Sequence, residues 1–175
     1  MTGLDWVEEA IAKAHDRASF DCGDDDLNHF LARYARQSHE HGGAKTFVAA
    51  SATGHPSILG FYSVSPASIA YDAAPATLTR SLGRYDVPAF RLARLAVDRR
   101  YQQRGLGGQL LLAAGRRCLR AAGEVGGVAL LIDAKNADVA QWYAGYGAVA
   151  LEDRPLTLVL PLATIAEALN ASETR

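Results

Sequence analysis

Two tyrosines near the carboxyl end of the chain, Tyr143 and Tyr146, have the chemistry needed to transfer a proton. A phenol has a pKa of about 10 and is protonated at neutral pH, so it can donate a proton to a leaving group. Reactions that expel an anionic leaving group benefit from such a donor. On residue type alone, either ring is more typical of a buried core aromatic.

A basic, glycine-rich turn over residues 102–108 is the second candidate site, and it stands between the strand-like run FRLARLAV and the helix-like run QLLLAAG. Unpaired backbone N–H groups and the helix dipole attract an anion to the amino terminus of a helix. Glycine lets the backbone approach a phosphate closely. The turn has neither the GxxxxGK(S/T) pattern of a P-loop nor a GxGxxG pattern, since Leu110 stands where the last glycine would be. Taken alone, the turn is equally compatible with a purely structural role.

The residues Gln102-Gln103-Arg104-Gly105-Leu106-Gly107 match the pattern Q/R-x-x-G-x-G/A directly after a strand, and in this the chain resembles the GNAT superfamily of N-acetyltransferases. The resemblance covers essentially the whole chain. It implies an α/β fold with a central mixed sheet, a splayed strand pair and flanking helices. It also implies acetyl-CoA as cosubstrate, with its pyrophosphate on the loop amides and its pantetheine paired with the preceding strand. The cofactor-binding residues so implied are Leu95, Ala96, Val97, Gln102, Gln103, Arg104, Gly105, Leu106, Gly107, Gly108 and Asn136.

The same resemblance implies that Tyr143 is the catalytic general acid. Asn136 and Tyr143 stand where superfamily members commonly carry an asparagine after the fifth strand and a tyrosine before a glycine–phenylalanine pair. Ala148 departs from that pattern, because it replaces the usual aromatic after Gly147. No acidic residue of the central strands stands out as a general base. An α-amino group with a pKa of about 7.7–8 needs none, whereas a lysine amine with a pKa of about 10.4 would.

A closer similarity involves the phrases SFDCGDDDLNHFL and RLAVDRRYQQRGLGG, which resemble the tRNA-acetylating toxins of bacterial toxin–antitoxin modules. This resemblance implies acetylation of the α-amino group of an aminoacyl-tRNA, which blocks translation. It also implies a ribbon-helix-helix antitoxin as partner. Two alternatives stay open: an acetyltransferase of a small-molecule or protein amine with no tRNA role, and a catalytically silent module that keeps the coenzyme A fold.

Arginines are concentrated in the central third of the chain, where they can meet the phosphates of coenzyme A or of tRNA. The candidates for substrate or tRNA binding are Arg33, Arg36, Arg91 and Arg94. A further group, Arg116, Arg117 and Arg120, fits an ordinary solvated helix face equally well. The 18 basic and 19 acidic residues give a net charge of −1. Because the acidic residues gather toward the amino terminus, a neutral total is compatible with one basic face.

The hydrophobic pattern predicts the elements that position these residues. The first forty residues are mainly helical in pattern, and we interpret Asp24, Asp25 and Asp26 as a helix cap rather than a metal or catalytic site. Strands are predicted over residues 45–51, 57–65, 90–97 and 128–133, with an irregular loop over 66–88. A helix follows the glycine turn, another covers 138–146, and a hairpin joins 148–151 to 156–160. This order predicts an α/β domain with a mixed sheet.

The composition is that of a globular protein, with 49% hydrophobic and 21% charged residues in 175. This length predicts a single domain over residues 1–175. The chain has only two cysteines, and its amino-terminal residues do not show the pattern of a signal peptide. Both features predict a reduced, cytoplasmic location. No metal site and no membrane association are expected. A homodimer is the commonest oligomer and is expected on that ground.

Overall fold

The computed structural model describes residues 3–174, so Met1, Thr2 and Arg175 of the predicted 1–175 domain lie outside the described residues. The strands are β1 Trp6–Ala10, β2 Lys45–Ser51, β3 Ile58–Ile69, β4 Val87–Val97, β5 Ala129–Asp133, β6 Val149–Leu151 and β7 Arg154–Pro161. The helices are α1 Asp25–Arg33, α2 Ala35–Glu40, α3 Ala76–Thr79, α4 Leu106–Val125, α5 Ala137–Ala144 and α6 Leu162–Glu173. Parallel and antiparallel strand pairs occur together with helices, which confirms the predicted α/β class with a mixed sheet.

The chain divides into two compact units. The first unit comprises the residues up to Ser65 together with Ala93–Ala114, and the second comprises Pro66–Leu92 together with the residues from Gly115 onward. Strands β3 and β4 and helix α4 therefore contribute residues to both units. Within residues 3–174, the structure contains no helix with the length and apolar character needed to cross a bilayer.

In the first unit, β1, β2 and the start of β3 form antiparallel pairs, with Trp6 opposite Ser51 and Lys45 opposite Val64. The prediction of a mainly helical start was wrong for β1. Its residues WVEEA include an aromatic and a β-branched side chain, which suit a strand. The pairing with β2 supplies the backbone hydrogen bonds that decide the conformation of this short segment.

Helix α1 of the first unit begins as predicted at the acidic cluster. The Asp24 carboxylate caps it by accepting hydrogen bonds from the N–H groups of Asp26 and Leu27, at 2.9 Å and 3.2 Å. The apolar stripe of the helix turns Phe30 and Leu31 into a core cluster. Other members of that cluster include Phe20, Val48, Ile58, Phe61 and Ala96.

In the second unit, the strands lie in the order β4-β5-β7-β6. Strand β4 runs parallel to β5, with Phe90 opposite Leu130 and Leu92 opposite Ile132. This pairing ends at Leu92 although β4 continues to Val97, as expected of the first strand in a splayed pair. Strand β7 pairs in antiparallel fashion with β5 and β6. The core of this unit is a cluster that includes Ile69, Val87, Ala89, Ala129, Leu131 and Val159.

Candidate functional site

The glycine-rich turn lies between the end of β4 and the start of α4, as predicted. The chain first makes one 3-10 turn over Arg99–Tyr101, which Asp98 caps by accepting a hydrogen bond from the Arg100 N–H at 2.9 Å. Gln103 and Gly105 then take positive φ angles of 60° and 84°. A positive φ is uncommon for a residue with a Cβ atom, so Gln103 is in a conformation of raised energy.

The loop presents backbone N–H groups that have no partner within the helix. At the start of α4 the first acceptor is the Gly105 carbonyl, which receives a hydrogen bond of 3.2 Å. The amides of Leu106, Gly107 and Gly108 therefore remain available to an external acceptor. The Leu106 side chain is buried and fixes the helix start, while residues 102–105 are exposed. Together the exposed loop and its amides have the geometry of an anion site.

The Gln102 side chain turns toward the protein. Its Nε2 group donates to the Val97 carbonyl at 2.8 Å and to the Cys22 carbonyl at 3.0 Å. A primary amide carries two N–H donors, and both are used in these bonds. Of the three exposed polar side chains in the loop, that of Gln102 is engaged with backbone carbonyls of the protein.

Asp98 fixes the end of the strand that leads into the loop. Its side chain is 2% exposed, and its two oxygens accept hydrogen bonds from Nε and Nη2 of Arg100 at 3.0 Å and 3.2 Å. Burial raises the pKa of Asp98, but hydrogen bonds from Arg100 and from the backbone of Asp21 outweigh burial and hold the pKa below its usual value. The carboxylate is therefore charged and fully engaged at neutral pH, and its role is structural.

The predicted residues that precede the loop on β4 differ in burial. Ala96 is packed in the core cluster of the first unit, and Leu95 and Val97 are half-buried. The carbonyl of Val97 is one of the two that hold Gln102. This end of β4 is thus rigidly connected to both the core and the loop.

Tyr143 lies in the second unit, near the end of α5, with its ring packed and its hydroxyl uncommitted. The residue is 6% exposed, and its ring meets Trp142 edge-on at a centroid distance of 4.9 Å. Among residues 3–174 its hydroxyl has no hydrogen-bond partner. Burial raises the pKa of Tyr143 above its usual value, so the phenol keeps its proton throughout the neutral range.

The competing Tyr146 is 40% exposed and packs edge-to-face on Trp142. Asn136, a predicted cofactor contact, is the cap of α5, because its Oδ1 accepts a hydrogen bond from the Val139 N–H at 2.9 Å. Its side chain therefore has a structural role as a helix cap, which the resemblance to the acetyltransferases did not indicate.

The four candidate arginines fall into two classes. Arg91 forms an ion pair with Asp133, and Arg36 pairs with Glu40 at 2.9 Å, so their charges are already compensated. Arg33 and Arg94 have no carboxylate partner within residues 3–174. The guanidinium carbon of Arg94 lies 3.6 Å from the centroid of the Phe30 ring, and partial burial lowers the pKa of Arg94. A guanidinium stays charged after such a shift.

Sequence reasoning missed the residues that support the loop from a distance. Residues 21–23, which we call the Cys22 turn, contact the loop, and Asn28 of α1 holds this turn in place. The phrase SFDCG contains the Cys22 turn, but this phrase entered the sequence analysis only for its resemblance to the toxins. Nothing in its local pattern indicates a partner about eighty positions away in the chain.

No protein-family model matches the chain. The chain is 35% identical over 150 residues to a tRNA-acetylating toxin of Mycobacterium tuberculosis, and the match covers 86% of this chain and 88% of that protein. The structure is similar to that of a tyrosine-to-phenylalanine variant of KacT, with a TM-score of 0.87, 26% identity, and coverage of 94% of this chain and 99% of that one. It is also similar to AtaTR bound with acetyl-CoA, with a TM-score of 0.82, 25% identity, and coverage of 94% and 98%.

Proposed function

Because the chain belongs to the family of tRNA-acetylating toxins, we propose that it transfers the acetyl group of acetyl-CoA to the α-amino group of an aminoacyl-tRNA and so blocks translation. The observation that carries this proposal is the 35% identity to the Mycobacterium tuberculosis toxin over 86% of the chain. The loop geometry and the uncommitted phenol support it, since they supply an anion site and a proton donor.

The loop between β4 and α4 holds the cosubstrate in this proposal. Acetyl-CoA supplies an activated acyl group and an anionic pyrophosphate. The amides of residues 103–108 donate to that pyrophosphate, and the exposed Arg104 adds positive charge. Leu95, Ala96 and Val97 offer backbone groups to the pantetheine, which suits a strand whose pairing with β5 has already ended at Leu92. Asn136 contributes its Nδ2 donor, because its Oδ1 is occupied as a helix cap.

Tyr143 acts as the general acid. The α-amino nitrogen forms the new bond to the acetyl carbon, the carbon–sulfur bond breaks, and Tyr143 donates its proton to the departing sulfur. Burial of the ring and the raised pKa of Tyr143 keep that proton in place until the sulfur acquires charge. The nitrogen loses its own proton to water. The attacking amine needs no protein base, because an α-amino group has an appreciable neutral fraction at physiological pH.

Arg94 is the best-supported contact for a substrate phosphate. A stacked guanidinium without an acidic partner keeps its N–H donors for a phosphate, which it can bind through two parallel hydrogen bonds. Arg33 adds exposed positive charge on the same helix as Phe30. Arg36 and Arg91 contribute less in this proposal, because Glu40 and Asp133 compensate their charges.

The remaining parts of the proposal rest on the resemblance to the toxin family and, for the dimer, on its being the commonest oligomer. The chain acts as one functional domain, since β3, β4 and α4 have residues in both compact units. It works in the cytoplasm, where aminoacyl-tRNA is found, and associates as a homodimer. A ribbon-helix-helix antitoxin neutralises it.

Mass spectrometry of aminoacyl-tRNA after incubation with the protein and acetyl-CoA tests the proposal directly. The expected product is aminoacyl-tRNA heavier by one acetyl group, formed at least about a hundredfold more slowly with Tyr143→Phe and absent with uncharged tRNA. Peptides and small amines serve as competing acceptors in the same reaction. Acetylation of these acceptors but not of charged tRNA would establish the alternative, an acetyltransferase without a tRNA role, which the net charge of −1 favours.

A further inference from the structure

The Cys22 turn is hydrogen-bonded to three residues that follow β4, namely Asp98, Arg99 and Gln102. The Cys22 carbonyl accepts a hydrogen bond from Gln102 at 3.0 Å. The Asp21 N–H donates to Asp98 Oδ2 at 3.1 Å, and the Asp21 carbonyl accepts from the Arg99 N–H at 2.8 Å. Three hydrogen bonds thus join an amino-terminal turn to the residues that lead into the cofactor loop.

The Asn28 side chain makes two hydrogen bonds to the Cys22 turn. Its Oδ1 accepts a hydrogen bond from the Cys22 N–H at 2.9 Å, and its Nδ2 donates to Asp21 Oδ1 at 3.0 Å. The same Asp21 oxygen accepts from the Gly23 N–H at 2.9 Å. Gly23 has a φ of 90°, which suits glycine and lets the chain reverse here. Asn28 is thus bonded to both sides of the peptide units that lead to the Cys22 carbonyl, through the Asp21 carboxylate and the Cys22 N–H.

The direction of the Cys22 carbonyl matters because it is one of two carbonyls that hold Gln102. With both Nε2 hydrogens engaged, the Gln102 side chain has no freedom to turn outward. The next residue, Gln103, has a φ of 60°, a conformation that persists only where the surroundings impose it. Release of Gln102 would let Gln103 relax, and the amides that follow would then point in different directions.

We propose that Asn28 is a positioning residue for the pyrophosphate of coenzyme A, acting through the Cys22 carbonyl and Gln102 on the conformation of the loop. This inference rests on the proposed function, in which the loop amides bind that pyrophosphate. Asn28 itself touches no reacting atom. Its effect is confined to the part of the cosubstrate that the loop binds.

The test compares Asn28→Ala with the parent protein on two acyl donors, acetyl-CoA and S-acetylpantetheine, which lacks the pyrophosphate. With acetyl-CoA, we expect the KM to rise about tenfold in the variant and kcat to stay within about twofold, because one preorganising hydrogen-bond relay is lost. With S-acetylpantetheine, kcat/KM should be the same in variant and parent. His29→Ala, an exposed neighbour on α1, is the matched control and should leave both donors unaffected.

Gln102→Ala breaks the same relay from the loop side and serves if Asn28→Ala does not fold. Its KM for acetyl-CoA should rise in the same way. In the double variant the two effects should not add, since both changes remove one shared connection.

The outcomes distinguish failure of the positioning role of Asn28 from failure of the proposed binding of pyrophosphate by the loop. Equal losses on both acyl donors would show a general structural defect and overturn the positioning role. An unchanged KM for acetyl-CoA in a folded Asn28→Ala protein would overturn it as well. If the parent protein uses both donors with equal kcat/KM, the loop does not bind the pyrophosphate, and the proposed cofactor site fails before Asn28 is considered.

Discussion

Replacement of Tyr143 by phenylalanine removes one oxygen atom and leaves the ring in place. The ring is 6% exposed and packs against Trp142, and a phenylalanine can keep both features. The hydroxyl makes no hydrogen bond within residues 3–174, so its removal leaves no protein group unpaired. We therefore expect the free energy of unfolding to change by less than about 0.5 kcal/mol.

The effect on catalysis should be large, because the lost oxygen carries the proton that the departing sulfur needs. A positioned general acid contributes a factor of about 10²–10⁴ to the rate, and kcat should fall by that factor. The KM for acetyl-CoA should stay within about twofold, since the loop amides are unchanged. Initial rates of acetyl transfer to saturating aminoacyl-tRNA over a range of acetyl-CoA concentrations measure both quantities, and thermal unfolding checks the stability.

Tyr146→Phe is the matched control, because it removes the same atom from a ring three positions further along the chain. Tyr146 is 40% exposed, and kcat of this variant should equal that of the parent protein. A Tyr143→Phe variant that keeps kcat within about threefold of the parent would refute the assignment of the general acid. So would a loss of activity that is matched by a loss of stability.

Three further predictions concern pH, packing and substrate binding. The rate should rise with pH as the acceptor amine deprotonates, and it should not decline up to pH of about 9.5. The reason is that the raised pKa of Tyr143 keeps this acid protonated where an ordinary phenol begins to ionise. A pH–rate profile checks both expectations. Gly60→Ala should lower the free energy of unfolding by about 1–3 kcal/mol, since its Cβ would lie 2.8 Å from a leucine methyl group and 2.9 Å from a backbone carbonyl oxygen. Gly123→Ala, with open space around it in α4, should instead raise the free energy of unfolding by about 0.5–1 kcal/mol, and a denaturant titration of both variants measures the two changes. Arg94→Met should raise the KM for aminoacyl-tRNA about tenfold and weaken its salt dependence, whereas Arg36→Met should change the KM by less than about twofold.

Each of these three predictions has a specific result that would contradict it. A decline in rate below pH of about 9.5 that follows a protein group would show that burial does not hold the Tyr143 proton. Equal stability of the two alanine variants would mean that the space around Gly60 can open. Equal effects of the two arginine substitutions would mean that the ion pair of Arg36 with Glu40 does not compensate its charge.

The features that the sequence predicted well depend on neighbours in the chain. Asp24 caps α1 because the amides it bonds lie two and three residues ahead, and the strand over Lys45–Ser51 is bounded by local turn residues. The β1 strand was missed because its partner is β2, far along the chain. The local pattern predicted a mainly helical start, whereas the pairing with β2 gives WVEEA the conformation of a strand.

Within the candidate site the same distinction holds. The strand–turn–helix order that creates the loop could be predicted, because it follows from glycines and a local change of periodicity. The inward turn of Gln102 and the ion pair of Arg91 with Asp133 could not be predicted, because they depend on residues that only the folded chain brings together. Side-chain type indicated what these residues can bind, and the fold determined what they do bind.

The hydrogen bonds between the Cys22 turn and the loop region also bear on the order of folding, because they join residues 77 and 80 positions apart. Contacts of such separation form late, since closing a long loop lowers chain entropy before the contacts compensate. The loop therefore becomes able to bind only after the amino-terminal segment has packed. By thermodynamic linkage, acetyl-CoA that binds only the ordered loop must stabilise that segment in return and slow hydrogen exchange at the amides of Cys22 and Gly23.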